Sequence, residues 1–111
     1  MLGIDVKWYY GDVCMVQLSS WRRGLLLDAL KLQRYVGDLL QPLLRNTKIC
    51  KVFHGHFNLS WLYSSLNLEV SPQIFDTSAN AQELDGIWGD GWQPSFWMMC
   101  RRYLNLSLIH I

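Results

Sequence analysis

Leu2, Ile4 and Val6 alternate with Gly3, Asp5 and Lys7 at the start of the chain, and this period of two is the feature that most restricts its fold. A strand sends successive side chains to opposite faces, so the three aliphatics share one side and Asp5 and Lys7 the other. The pattern predicts a strand over residues 2–8, followed by strands over 12–19 and 24–29. Gly11-Asp12 makes the first turn and Trp21-Arg22-Arg23-Gly24 the second connection, so the three strands read as an antiparallel meander.

Helical spacing then takes over. Val36, Leu39, Leu40, Leu43 and Leu44 predict a helix over 34–45, with Pro42 expected to bend it or to mark a second short segment. Lys48–Phe53 is strand-like and, coming after a helical crossover, should run parallel to its neighbour. A second helix is predicted over 58–67, with Leu59, Leu62 and Leu66 on one side. Two more are expected over 77–85 and 94–105, separated by a glycine-rich loop at 86–91. The architecture is α/β, a mixed sheet (three-strand antiparallel meander plus parallel strand) flanked by helices. At 111 residues, without repeat or linker, the chain is expected to form a single domain with one modest core.

Composition excludes several classes. Half the residues are hydrophobic and 17% are charged, which argues against disorder. No apolar stretch approaches the ~20 residues that span a bilayer, and Asp5 and Lys7 interrupt the one candidate for a signal segment. An intracellular protein, nuclear or cytoplasmic and without a membrane partner, is the expectation. Cys14, Cys50 and Cys100 lack a CxxC pair and are expected as buried, reduced thiols. A net charge of +1 advertises no global field for nucleic acid, although Arg22 and Arg23 are local candidates for phosphate contact. The six tryptophans are mostly expected in the core, with Trp8 and Trp61 as candidates for stacking on bases.

Five segments, in this order and at these separations, resemble a known family: Leu2–Trp8, Met15–Ser20, Gly24–Leu30, Lys51–Gly55 and Ile74–Thr77. Together they look like the 3′–5′ exonuclease domain of the ribonuclease D type, in the DEDD superfamily. The exosome-associated exonucleases and Werner-type domains are similar. The likeness covers about residues 2–108 and implies a ribonuclease H-like fold. It also implies two-metal hydrolysis of phosphodiesters, Mg²⁺ or Mn²⁺ as cofactor, and RNA or single-stranded DNA 3′ ends as partners, with room for a protein partner.

Carried over by position, the resemblance makes Asp5 the first carboxylate and metal ligand, with Lys7 where the family has Glu. Asn58 stands at the next catalytic position, where the family has Asp, and it also reads as an N-cap of the helix after it. Trp8, His54, Arg22 and Arg23 become the nucleic-acid-binding candidates, and Asp76 a cap for the helix starting at Thr77. The family's third motif, Tyr or His followed four residues later by Asp, has no match up to Ile111. On this reading residues 1–111 are a partial exonuclease-like domain without that motif. Two divalent ions need several converging carboxylates to offset their charge and repay dehydration. Asp5 and Lys7 sum to zero, so the expectation is a nuclease-family domain with impaired turnover; the alternative is a non-catalytic pseudonuclease that binds nucleic acid or protein.

Overall fold

The alternating opening segment forms strand β1 (Leu2–Tyr9), and partners line both of its edges. The computed structural model describes residues 1–55, 57–84 and 95–104. Strand β2 (Asp12–Ser19) pairs antiparallel with β1, and β3 (Gly24–Asp28) antiparallel with β2. Helix α1 (Gln33–Arg45) then carries the chain to β4 (Lys51–Phe53), which lies parallel to β1 on its other edge. After helix α2 (Phe57–Leu66), strand β5 (Ile74–Asp76) adds parallel to β4, giving the order β3-β2-β1-β4-β5. Helices α3 (Thr77–Leu84) and α4 (Phe96–Leu104) follow. The meander and the parallel strand stand as the sequence predicts. The predicted strand 48–53 begins only at Lys51, and β5 is an addition to the expected sheet. Residues 86–91, predicted as a glycine-rich loop, lie outside the described residues, as do positions 85, 94 and 105 of the predicted helices.

The β1–β2 hairpin turns on Tyr10 and Gly11, whose φ angles are +47° and +91°. Positive φ at both central residues lets a two-residue turn follow the right-handed twist of the strands, and Gly11 adopts it without penalty. The register slips between Lys7 and Trp8, where Trp8 faces Val13 and Cys14 is left over as a bulge.

One face of the sheet holds the core. Ile4, Val6, Val16, Leu18 and Phe53 are buried there together with Val36, Leu40 and Leu44 of α1 and Leu62 of α2. The stripe on α1 is narrower than predicted, because Leu39 and Leu43 are 55% and 38% exposed. α1 continues through Pro42 as one helix, so no second segment forms there. The free thiols also depart from expectation, since only Cys100 is buried and Cys14 and Cys50 are half-buried. Trp21 is 91% exposed and Trp8 44%, so neither is a core residue.

Lys51 is the unexpected core member, with no exposed surface. Its ammonium donates to the carbonyls of Asn46 at 2.7 Å and Ile49 at 2.8 Å and to the Ser71 hydroxyl. Three N–H groups meet three acceptors, so the buried cation is fully hydrogen-bonded, with no carboxylate partner among the described residues. This pin ties the end of α1 to the start of β4 and to the segment entering β5.

Candidate functional site

The parallel ladder between β1 and β4 is short, and its end creates the site. Leu2 N–H donates to Cys50 O at 2.9 Å, and the paired residues run only to Gly3 and Val52. In a parallel pair every second residue faces the same neighbour, so the Val6 N–H also points toward the β4 side. There it meets the Asn58 side chain instead of a strand. Asn58 Oδ1 accepts from Val6 N–H at 3.1 Å, while Nδ2 donates to the carbonyls of His54 at 3.1 Å and Gly55 at 3.2 Å. The amide thus acts as a spliced rung between the parting strands. Its partners fix which end is oxygen, since a backbone N–H needs an acceptor and two carbonyls need donors.

This overturns the expectation of Asn58 as an N-cap. It is the second residue of α2, buried to 4% exposure, and its amide reaches back to carbonyls instead of accepting from the first turn. Asp76 does cap α3. Its Oδ1 accepts from Ser78 N–H at 2.9 Å, Ser78 Oγ at 2.8 Å and Ala79 N–H at 3.4 Å, and also from Gly55 N–H at 3.0 Å. Burial alone would raise its pKa. The hydrogen bonds from Gly55, Ser78 and Ala79 outweigh that and hold the carboxyl below the ordinary value of 3.8.

On the sheet face opposite the core lies a cleft of about 540 Å³, lined by Asp5, Lys7, Gln17, Ser19, His54 and Thr77 among others. Its floor is Gly3, where a Cβ would stand 2.5 Å from Ser19 Oγ, so a side chain here would displace that hydroxyl. Asp5 and Lys7 form an ion pair at 2.7 Å, with side chains 45% and 67% exposed. Thr77 Oγ1 donates to Phe53 O at 3.1 Å and lies 2.8 Å from His54 Nδ1. The Thr77 hydroxyl thus joins the Phe53 carbonyl to the His54 ring.

On the helical side of the same strand end, Trp8 stacks on Trp61 with centroids 5.7 Å apart and planes 11° apart. Phe57 also stacks on Trp61, with centroids 6.0 Å apart and planes 24° apart. The period-two alternation explains the split, since Lys7 faces the cleft and Trp8 the helix.

The sequence candidates therefore separate. Asp5, Lys7 and His54 share the cleft; Asn58 does not line it and is engaged with backbone; Trp8 does not line it either and stacks on Trp61 of α2. Arg22 and Arg23 sit in the β2–β3 turn beyond Ser19, exposed, and do not line the cleft. Sequence reasoning missed Gln17, Ser19 and Thr77. The register Asp5↔Gln17 and Gly3↔Ser19 places the first two there.

The donor set does not fit a pair of hard cations. Asp5 is engaged by an ammonium, Asn58 presents both ends of its amide to backbone, and no group of three His, Cys, Asp or Glu side chains converges among the described residues. No described helix is long and apolar enough to cross a membrane.

Comparison with known proteins agrees with the fold. The model of a family described as 3′–5′ exonuclease matches residues 3–110. The exosome complex exonuclease RRP6 of Saccharomyces cerevisiae is 42% identical over 74 residues, 66% of this chain and 10% of that protein. The chain spans about a tenth of the length of the curated relatives it matches. Ribonuclease D of Trypanosoma brucei, solved in complex with RNA U12, superposes with a TM-score of 0.76 at 16% identity, over 96% of this chain and 40% of that one. The EXD2 exonuclease domain, soaked in Mg and GMP, gives 0.62 at 24% identity, over 97% and 58% of the two chains. These last two likenesses show the fold.

Proposed function

Because the chain belongs to the 3′–5′ exonuclease family, we propose that its cleft receives the 3′ end of a single-stranded nucleic acid, RNA in preference to DNA, and binds it with little or no hydrolysis. The observation that carries this reading is the arrangement at the β1 end. Cleft side chains able to meet a sugar-phosphate group stand on one face of β1, and the stacked Trp8–Trp61 pair stands at the next residue along the strand. RNA is favoured because the RRP6 and ribonuclease D relatives are an exosome exonuclease and an RNA-bound enzyme. A protein partner of the exosome kind and an intracellular setting belong to the same proposal.

Asp5, Lys7 and His54 would contact the terminal nucleotide, and Trp8 and Trp61 would stack its base. Asn58 would shape the mouth without touching substrate. Arg22 and Arg23 would meet phosphates farther along the strand, beyond the Ser19 end. Impaired turnover follows from charge. With Asp5 neutralised by Lys7 and Asn58 uncharged, the described residues of the site do not supply the carboxylates on which Mg²⁺ or Mn²⁺ chemistry depends.

Binding of a 5′-labelled single-stranded RNA, compared with a blunt duplex of the same sequence, tests the reading. The single strand should bind and the duplex should not, and Trp61→Ala should weaken binding by about tenfold, as loss of one stacked base predicts. Equal affinity for the two, unchanged in Trp61→Ala, would defeat it.

A further inference from the structure

Lys7 is more than the loss of a ligand. Its ammonium has three N–H groups, and its one described partner is the Asp5 carboxylate at 2.7 Å, on a side chain 67% exposed and lining the cleft. An exposed ion pair is held weakly, so an entering anion can share or take over that ammonium. In the same cleft, Gln17 opposite Asp5 offers an amide and Ser19 opposite Gly3 a hydroxyl. A divalent ion entering the same space would face the fixed positive charge of Lys7 and, among the described lining residues, one carboxylate already paired with it.

We propose that the Lys7 ammonium itself is the counter-charge for the terminal phosphodiester of the bound RNA, so that 3′-end recognition by this chain requires no divalent metal. The inference rests on the preceding reading of the cleft as a 3′-end site and assigns its phosphate-binding group. It reverses the role of Asp5, which in this site competes with the phosphate for Lys7. Removing the Asp5 charge therefore strengthens binding, whereas loss of a metal ligand would weaken it.

The test is fluorescence anisotropy of a 5′-fluorescein-labelled oligouridine RNA with the 111-residue chain, in EDTA and in Mg²⁺ at matched ionic strength. The native chain should bind equally in both. Lys7→Met should weaken binding by about threefold in EDTA and reduce the slope of log affinity against log salt by about 0.7, the value for one single-strand phosphate contact. Asp5→Asn should tighten binding by about twofold. Lys7→Glu should bind worst in EDTA and recover in Mg²⁺, because two carboxylates then share one strand face. Tightening of the native chain by about tenfold on adding Mg²⁺ would overturn the proposal, as would Lys7→Met with native affinity and salt slope. If Trp61→Ala weakens binding while Lys7→Met does not, the Lys7 assignment falls and the 3′-end reading stands. If the native chain, shown folded by circular dichroism, binds no RNA in either buffer, both fall.

Discussion

Two lysines stand near the two ends of β1, Lys51 opposite its start and Lys7 toward its far end, and use the same charge in opposite ways. At the closed end, Lys51 stands opposite Leu2, is wholly buried and spends all three N–H groups on neutral oxygens. At the open end, Lys7 is solvent-facing and paired with one carboxylate. The difference is one of environment. A buried ammonium is tolerable only with every donor satisfied, so Lys51 is committed to the fold. An exposed one loses little by changing partners, so Lys7 is available to a ligand.

Mutations should separate these roles. The largest effect is expected at the closed end: Lys51→Met strands two carbonyls and a hydroxyl and should lower stability by about 2–4 kcal/mol in urea unfolding, while the affinity for RNA of the fraction that stays folded is unchanged. A shift within about 0.5 kcal/mol, the range of ordinary surface changes, would mean the pin is not structural.

Asn58 should come next. Asn58→Asp turns an oxygen toward the carbonyls of His54 and Gly55 and buries a charge, so stability at neutral pH should fall by about 2 kcal/mol. Acidification should return part of it, since a protonated carboxyl regains a donor. Loss of stability that ignores pH would show that the aspartate turns away from those carbonyls.

Asp76 is the third. Its carboxyl is depressed in the folded state, so its contribution is fully present above the ordinary value of 3.8 and is lost as pH falls through the lower folded value. Asp76→Ala should cost about 1 kcal/mol at pH 7, typical of a helix cap. It should also flatten the acid limb of stability below pH 3.8. An acid limb identical to that of the native chain would contradict the hydrogen-bonded cap. The smallest effect belongs to the open end: Lys7→Met should change stability by less than about 0.5 kcal/mol, and a larger loss would make Lys7 a second structural lysine.

Much of the fold was legible because β1 and β2 carry a period-two pattern long enough to see and α1 a period near four. β5 escaped as a strand because Ile74–Asp76 is three residues, too short for any period to register. Lys51 escaped because lysine is almost never fully buried, so nothing in its neighbourhood of sequence distinguishes it from Lys48. The candidate site was legible by position and not by orientation. The order of segments brought Asp5, Lys7 and His54 to one cleft, yet spacing along a chain cannot say which way an amide points. Asn58 therefore read as a ligand position or a cap, and the structure makes it a rung. Trp21 illustrates a further limit, since an aromatic in a turn has no periodic partner to reveal that it stands in solvent.

The proposed pairing of Asp5 with Lys7 at the open end would leave a site that binds RNA without cutting it. Single-turnover incubation of 3′-end-labelled RNA with an excess of the chain, in Mg²⁺ and in Mn²⁺, measures this directly. No labelled mononucleotide should be released beyond the protein-free control, although the RNA is bound. Release that EDTA abolishes and that disappears in Asp5→Asn would contradict the claim and make the cleft a working two-metal site.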